Sequence, residues 1–173
     1  MTDDDGEEVE RKFETLKAKG NEMFKAKNYE AAKVLYSQAI DAKKDSAVAY
    51  SNRAACNLNL KQYYHALDDC NKALELDPNS CKAFYRRAVA LGELSRYKLA
   101  RDDFMRVLSL EPNNKLASDE VGKLKKILEQ DGRLVLKTFH KPEEFRSTKP
   151  LQKFQLNNQY SGSREYNLKS NIV

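Results

Sequence analysis

The sequence predicts an all-α protein built from three successive helical hairpins, a capping helix and an extended C-terminal tail. Three observations predict it: an internal repeat of 34 residues, an apolar stripe with helical spacing directly after the last repeat, and the loss of that spacing beyond Gly132. We therefore divide the chain into an acidic flexible N-terminus at 1–11, a repeat domain at 12–131 and a basic tail at 132–173.

The repeat is found by comparing the sequence with itself at a shift of 34 residues. It gives units at 13–46, 47–80 and 81–114, each with two amphipathic helices joined by a short turn. Pro78 and Pro112 stop the second helix of units two and three, whereas Lys44 stands at this place in unit one. Five columns carry matching side chains: Gly20, Ala54, Ala88; Tyr29, Tyr63, Tyr97; Ala32, Ala66, Ala100; Tyr36, Cys70, Phe104; and Ala39, Ala73, Val107.

This pattern resembles the tetratricopeptide repeat family over about 102 residues. The resemblance implies an α-solenoid whose first helices line a concave groove. Gly20 would give up helix propensity so that two helices can pack closely. Packing does not require Asn21 beside it, since Ala55 and Val89 hold the matching positions.

A helix directly after the third unit is predicted to cover the apolar face that the last repeat leaves open. Its apolar residues follow at i, i+4, i+7 and i+11, which places them on one stripe: Ala117, Val121, Leu124 and Leu128. We predict that this capping helix spans 115–130 and that Gly132 ends it.

The composition favours binding over catalysis. The three cysteines form no CxxC pair, the two histidines lack a metal-like spacing, and no phosphate-binding glycine loop or nucleophile elbow occurs. We therefore expect no enzyme, no metal and no cofactor. The sequence lacks an apolar run of about 18 residues, and MTDDDGEEVE carries six carboxylates where a signal peptide needs positive charge. The expected location is the cytoplasm, with the nucleus as an alternative, and a capped solenoid is expected to be monomeric.

Five polar residues are predicted to share the groove-facing side of the three first helices. Lys17 and Asn21 are four residues apart on one helix face, as are Lys82 and Arg86. Asn52 occupies in unit two the place that Arg86 takes in unit three. The set holds three cations and no carboxylate, so its complement is an anion with several acceptor groups. A chain-terminal aspartate, with two carboxylates close together, is such an anion.

The motifs KAKGN, SNRA and KAFYRR resemble the two-carboxylate clamp of tetratricopeptide-repeat co-chaperones. The resemblance implies that the groove binds the C-terminal Glu-Glu-Val-Asp of heat shock protein 90, with heat shock protein 70 as the alternative. Three clamp residues would hold the terminal carboxylate: Lys17, Asn21 and Asn52. Two would hold the side-chain carboxylate and nearby backbone oxygens: Lys82 and Arg86. Further groove positions would contact apolar ligand residues: Val48, Tyr85 and Val89. Two apolar side chains are assigned to the core: Phe24 and Leu58.

The net charge of +5 originates in the tail, because 132–173 holds eight basic and three acidic residues whereas 1–131 holds 23 of each. Pro142 and Pro150 favour an extended segment, which can add to the edge of a partner's sheet. FRSTKPLQKF resembles the segment after the repeat domain in the RNA polymerase II-associated protein 3 family, which couples heat shock protein 90 to the RuvB-like ATPase complex through a PIH-domain subunit. The resemblance implies that about 141–156 recruits a PIH-domain partner through six residues: Phe145, Arg146, Lys149, Pro150, Leu151 and Phe154.

Together these inferences predict a non-enzymatic co-chaperone adaptor for the assembly of multiprotein complexes. For the tail, an unstructured, basic, solubilising extension stays open as the alternative to partner binding. Two other classes of function also stay open. One is a structural scaffold whose groove binds an internal segment of a client, which has no need of a free carboxylate. The other is a protein whose basic tail, with Tyr160 and Tyr166, touches RNA, and this would give retention on a polyanion that depends on 133–173.

Overall fold

The computed structural model describes the backbone of residues 3–139 and the side chains of residues 6–132, which form three helical hairpins and a final helix. The first helix of each hairpin packs on the second, and each hairpin packs on the next. The predicted all-α architecture is therefore confirmed. The helices are α1 (Asp3–Lys25), α2 (Tyr29–Ala42), α3 (Ala47–Asn59), α4 (Tyr63–Leu76), α5 (Cys81–Glu93), α6 (Tyr97–Leu110) and α7 (Lys115–Phe139).

The turn inside each hairpin is a left-handed helix end that recurs at equivalent positions. Lys27, Lys61 and Ser95 have φ angles of 59°, 58° and 58°. The backbone N–H of the next residue donates a hydrogen bond to a carbonyl in the last turns of the helix. Gln62 N, for example, donates to Asn57 O at 2.8 Å. A left-handed residue other than glycine costs about 1–2 kcal/mol. Satisfying the carbonyls at the end of the helix offsets that cost.

Small side chains set the distance between the helices, as the repeat columns predict. Ala32, Ala66 and Ala100 are all 0% exposed. Gly20 is the tightest case, because a Cβ built there would lie 2.7 Å from Cε1 of Tyr36. That separation is well inside the optimal 3.5–4.0 Å between carbon atoms. Gly20 therefore allows α1 to approach the Tyr36 ring on α2.

A buried ion pair joins the two helices of the second hairpin and recurs in the third. Arg53 Nη2 donates to Asp69 Oδ1 at 2.6 Å and Nε donates to Oδ2 at 3.0 Å. In the next unit Arg87 Nε and Nη2 donate to the two oxygens of Asp103 at 2.7 and 2.8 Å. Both carboxylates are buried. These bidentate pairs neutralise charges that would otherwise be costly inside the hairpins.

The final helix α7 covers the third hairpin. Ala117 and Leu124 are buried, and Val121 packs against the same core cluster. The helix continues to Phe139, so Gly132 does not end it and the predicted boundary at 130 was wrong. An interior glycine weakens a helix by about 1 kcal/mol but keeps its backbone N–H, so the hydrogen-bond ladder can pass through it.

The N-terminal boundary also differs from the expectation. Residues 1–11 were expected to be flexible, whereas α1 begins at Asp3. The sequence begins with several acidic residues, a composition that favours a helix N-terminus because the helix dipole is positive there. Glu10 further accepts a bond from Lys43 Nζ at 2.8 Å, which links this segment to the end of the first hairpin. Within the part of the chain that the structure describes, no helix is long and apolar enough to span a membrane.

Candidate functional site

A groove of about 660 Å³ crosses the first helices of the hairpins and reaches the start of α7. Apolar side chains form most of its wall, and the cations Lys82 and Arg86 stand on α5. The lining residues are Phe24, Ala55, Leu58, Asn59, Cys81, Lys82, Tyr85, Arg86, Val89, Glu111, Asn114 and Leu116. Such a surface suits an extended ligand that carries both negative charge and apolar side chains.

Arg86 is the most deeply placed cation of this groove. Its Nη1 donates to the hydroxyl of Ser51 on α3, and its electrostatic neighbours are Tyr36, Cys56 and Cys70. Among the described residues no carboxylate pairs with it. Burial consequently lowers the pKa of the guanidinium below its usual value. Arg86 therefore keeps a desolvated positive charge that an external anion can neutralise.

Asn21 is oriented by a second buried side chain, Tyr36. The Tyr36 hydroxyl donates to Asn21 Oδ1 at 2.7 Å, and the tyrosine is only 2% exposed. Burial, with a smaller contribution from Cys56, raises the pKa of Tyr36 to about 12, against the opposing charge of Arg86. The phenol therefore stays protonated and donates its hydrogen. Because Oδ1 is already engaged, the amide NH₂ of Asn21 is the group left to donate to a ligand.

Lys17 already has contacts on its own helix. Its Nζ forms an ion pair with Glu14 and lies 5.0 Å from the centroid of the Phe13 ring. Glu14 is half exposed, at 53% of its side-chain surface. An ion pair of this kind contributes about 0.3–0.5 kcal/mol. A ligand carboxylate can therefore compete with Glu14 for Lys17.

Lys82 lies in the first turn of α5, beside the loop that leads to α7. Its charge helps to lower the pKa of Glu111, although the larger cause is the hydrogen bond that Asn114 Nδ2 donates to this carboxylate at 2.9 Å. Burial and the same carboxylate raise the pKa of Cys81 to about 11. Cys81 is therefore a neutral thiol, and Lys82 is the exposed cation at this end of the groove.

The structure brings part of the predicted site together in one groove. Four predicted residues line it: Lys82, Tyr85, Arg86 and Val89. Four others lie outside its lining: Lys17, Asn21, Asn52 and Val48. Val48 is 56% exposed, and Asn52 is half-buried on α3. Two residues assigned to the core line the groove while they pack on core clusters: Phe24 and Leu58. The six predicted tail contacts lie outside the described residues: Phe145, Arg146, Lys149, Pro150, Leu151 and Phe154.

Sequence reasoning missed the two residues that position the polar groups, Tyr36 and Ser51. A signal existed for Tyr36, because it is the one member of its repeat column with a hydroxyl, the others being Cys70 and Phe104. Ser51 directly precedes Asn52 and is 3% exposed. Across residues 6–132, His, Cys, Asp and Glu side chains form no group of three or more that could hold a metal ion.

The fold and the groove define a helical-repeat protein whose groove combines apolar walls with two cations, Lys82 and Arg86. The chain belongs to the tetratricopeptide repeat family. Two models described as Tetratricopeptide repeat match residues 47–80 and 70–102. The first tetratricopeptide domain of Spaghetti (RPAP3), solved bound to HSP90 peptide SRMEEVD, is 38% identical, with a TM-score of 0.68 and coverage of 69% of this chain and 94% of that one.

A second similar structure is the second tetratricopeptide domain of human RPAP3 in complex with HSP70 peptide SGPTIEEVD. It is 38% identical, with a TM-score of 0.65 and coverage of 68% of this chain and 98% of that one. The Hsp70/Hsp90 co-chaperone CNS1 of Saccharomyces cerevisiae is 43% identical over 65 residues, which is 35% of this chain and 17% of that protein. The match thus spans about a sixth of this curated relative. The resemblance to the RNA polymerase II-associated protein 3 family is confirmed for the repeat domain.

Proposed function

We propose that this chain is a co-chaperone adaptor whose groove binds the free acid end of heat shock protein 90, with heat shock protein 70 as a second partner. One observation carries the proposal. Arg86 is desolvated beside the groove without a carboxylate partner among the described residues, whereas Arg53 and Arg87 are each neutralised by an aspartate. The similar RPAP3 domains support it, because they are solved with acid-terminated chaperone peptides.

The proposed binding mode divides the two carboxylates of a terminal aspartate between two groups of side chains. Lys17, Asn21 and Asn52 hold the main-chain carboxylate, and Lys82 and Arg86 hold the side-chain carboxylate. Each charge-assisted hydrogen bond contributes about 1.5–3 kcal/mol. Ordering a short peptide offsets much of this gain, so we expect a dissociation constant near 1 μM, or about −8 kcal/mol. Affinity should fall with added salt.

Apolar contacts complete the proposed mode. Phe24, Leu58, Tyr85 and Val89 provide an apolar wall next to the two cations. Ligand side chains before the terminal aspartate can bury surface there at about 25 cal/mol per Å². Their burial adds affinity without changing the requirement for a free carboxylate.

Calorimetric titration with Met-Glu-Glu-Val-Asp as the free acid and as the C-terminal amide tests the proposal. Amidation removes the main-chain carboxylate of the terminal aspartate and leaves its side-chain carboxylate. It should therefore weaken binding at least tenfold, or about 1.4 kcal/mol. Lys82→Ala should weaken binding of the acid, whereas Lys72→Ala, on the exposed surface of α4, should not. Equal affinity for acid and amide would reject the clamp and favour a scaffold for internal segments.

The proposal extends to the tail on sequence resemblance alone, because 141–156 lies outside the described residues. We propose that this segment recruits a PIH-domain partner, so that the chain joins that partner to the chaperone during complex assembly. Deleting 141–156 should abolish co-purification of the PIH-domain protein and leave the affinity for Met-Glu-Glu-Val-Asp unchanged. Retention of the partner by the deletion variant would place the interaction elsewhere. We further propose a monomer that acts in the cytoplasm or nucleus, which sedimentation and cell fractionation can test.

A further inference from the structure

A second cavity lies next to the groove, along the C-terminal half of α5. It has a volume of about 310 Å³, lies between α5, α6 and α7, and shares Tyr85 and Val89 with the groove. Its wall combines three aromatic rings with two carboxylates: Tyr85, Tyr97, Phe104, Glu93 and Glu120. Aromatic faces and carboxylates both attract cations. The cavity therefore has the opposite electrostatic character to the part of the groove that holds Lys82 and Arg86.

The repeat register explains why this change of sign faces the ligand. Glu120 lies 34 residues after Arg86, which itself lies 34 residues after Asn52. The repeat column that holds Arg86 thus continues onto α7 and changes from a carboxamide to a guanidinium and then to a carboxylate. A ligand that crosses the first helices in order meets a carboxylate after the cations.

Both carboxylates can accept a further cation. Glu120 pairs with Lys123 at 2.6 Å, but the Lys123 side chain is 67% exposed, and exposed pairs within one helix contribute little. Glu93 accepts one bond, from the Tyr63 hydroxyl to Oε2 at 2.9 Å. That bond uses one of its two carboxylate oxygens. A guanidinium that enters the cavity can therefore form an ion pair with either glutamate beside the tyrosine rings.

We propose that this cavity binds a basic side chain about five residues before the acid terminus of the peptide. The inference rests on the proposed function, which places the terminal carboxylate between α1 and α3. An extended peptide advances about 3.3 Å per residue, so five residues span roughly 17 Å. Neighbouring helices lie about 8–10 Å apart, and two such steps lead from the gap between α1 and α3 to the gap between α5 and α7.

The two peptides solved with the RPAP3 domains differ in this feature. SRMEEVD has an arginine five residues before its terminal aspartate, whereas SGPTIEEVD has no basic residue. The groove should therefore prefer the first peptide because of its arginine, in addition to the clamp contacts that both peptides can make.

Titration of the full chain with SRMEEVD and with the same peptide carrying citrulline, the neutral isostere of arginine, tests this proposal. Replacing arginine should weaken binding at least threefold in the unmodified chain. In the variant with Glu93→Gln and Glu120→Gln the two peptides should bind equally. The matched control is Glu75→Gln on α4, because Glu75 also pairs with a lysine three residues away. This control should keep the full difference between the peptides.

The possible outcomes separate this inference from the proposed function. If both peptides bind the unmodified chain equally and amidation still weakens binding, the cavity proposal is overturned and the clamp stands. If the arginine effect persists in the double variant, the basic residue binds elsewhere, which also overturns it. If neither acid peptide binds, the proposed function fails, and the cavity proposal fails with it.

Discussion

Arg86 and Arg87 are adjacent in the sequence, yet the structure assigns them opposite roles. Arg87 forms a bidentate ion pair with Asp103, at 2.7 and 2.8 Å. Arg86 reaches the hydroxyl of Ser51 and has no carboxylate partner in the described part of the chain. Arg86→Met and Arg87→Met should therefore separate ligand binding from stability, although the two changes are chemically identical.

The expected loss of affinity for Arg86→Met follows from the geometry. The guanidinium has five N–H donors, and the contact with Ser51 uses one of its nitrogens. Two charge-assisted bonds to a ligand carboxylate contribute about 2–4 kcal/mol after allowing for non-additivity. Their loss weakens binding by about 30- to 1,000-fold. From a dissociation constant near 1 μM, the variant should show weak or unmeasurable binding by calorimetry.

For stability we expect the reverse order: Arg87→Met should destabilise the protein more than Arg86→Met. Folding partly desolvates the Arg86 charge without an ionic partner, so replacing it with an apolar side chain should change the free energy of unfolding by less than about 1 kcal/mol. Arg87→Met leaves the buried carboxylate of Asp103 unpaired and should cost about 3 kcal/mol. Urea denaturation of both variants measures this difference. An equal loss of stability in the two variants, or unchanged peptide binding by Arg86→Met, would refute the assignment.

Three further predictions concern the surroundings of the clamp. Gly20→Ala should destabilise the protein by about 1–2 kcal/mol in urea denaturation, because the clash with the Tyr36 ring exceeds the gain in helix propensity. Gly122→Ala, with nothing within 4 Å of the added Cβ, should be neutral or stabilising. Tyr36→Phe should weaken peptide binding severalfold in calorimetry, because Asn21 loses the bond that orients its amide, and unchanged affinity would contradict this role. Burial raises the pKa of Cys70 to about 12, so above pH 9 the unfolded chain releases this proton first and the free energy of unfolding should fall with pH. Cys70→Ala should remove that part of the slope, which urea titrations between pH 7 and 10 can measure.

The repeat register made most of the fold predictable from one sequence. A 34-residue period places each column at the same point of every hairpin, so the buried alanines followed directly. Helical spacing likewise identified three residues by which α7 packs on the core, Ala117, Val121 and Leu124, whereas Ile127 and not Leu128 is the next residue of that cluster. The two ends of the domain were predicted wrongly, because they lie outside the repeated units and have no equivalent residues in the sequence to compare with. At the N-terminus the charge composition indicates flexibility, but acidic residues are also typical of helix N-termini, and α1 begins at Asp3. At the C-terminus, Gly132 lies inside α7, because a single glycine weakens a helix without ending it.

Repeat columns predict which polar residues stand at equivalent places of the hairpins, but not which contacts they make. Column arithmetic places Arg86 and Asn52 on the groove side and says nothing of which arginine receives a carboxylate. That depends on the residue 16 positions later, which is Asp103 for Arg87 and Asp102 for Arg86. Asp102 instead accepts a hydrogen bond from its exposed neighbour Arg101, at 2.8 Å.

The orientation of α6 explains why a shift of one residue along the sequence separates a cation with a carboxylate partner from one without. A step of one residue turns a helix by about 100°, so Asp103 points into the third hairpin and Asp102 points to solvent. Arg87 therefore receives its counter-ion inside the third hairpin. The neighbours of Arg86 belong to the two earlier hairpins: Ser51, Cys56 and Cys70 in the second and Tyr36 in the first. None of these groups is an anion at neutral pH, and burial raises the pKa of Tyr36 and Cys70 to about 12 and that of Cys56 to about 11, further from neutrality. The uncompensated charge of Arg86 thus results from a position on α5 at which no described carboxylate is its neighbour.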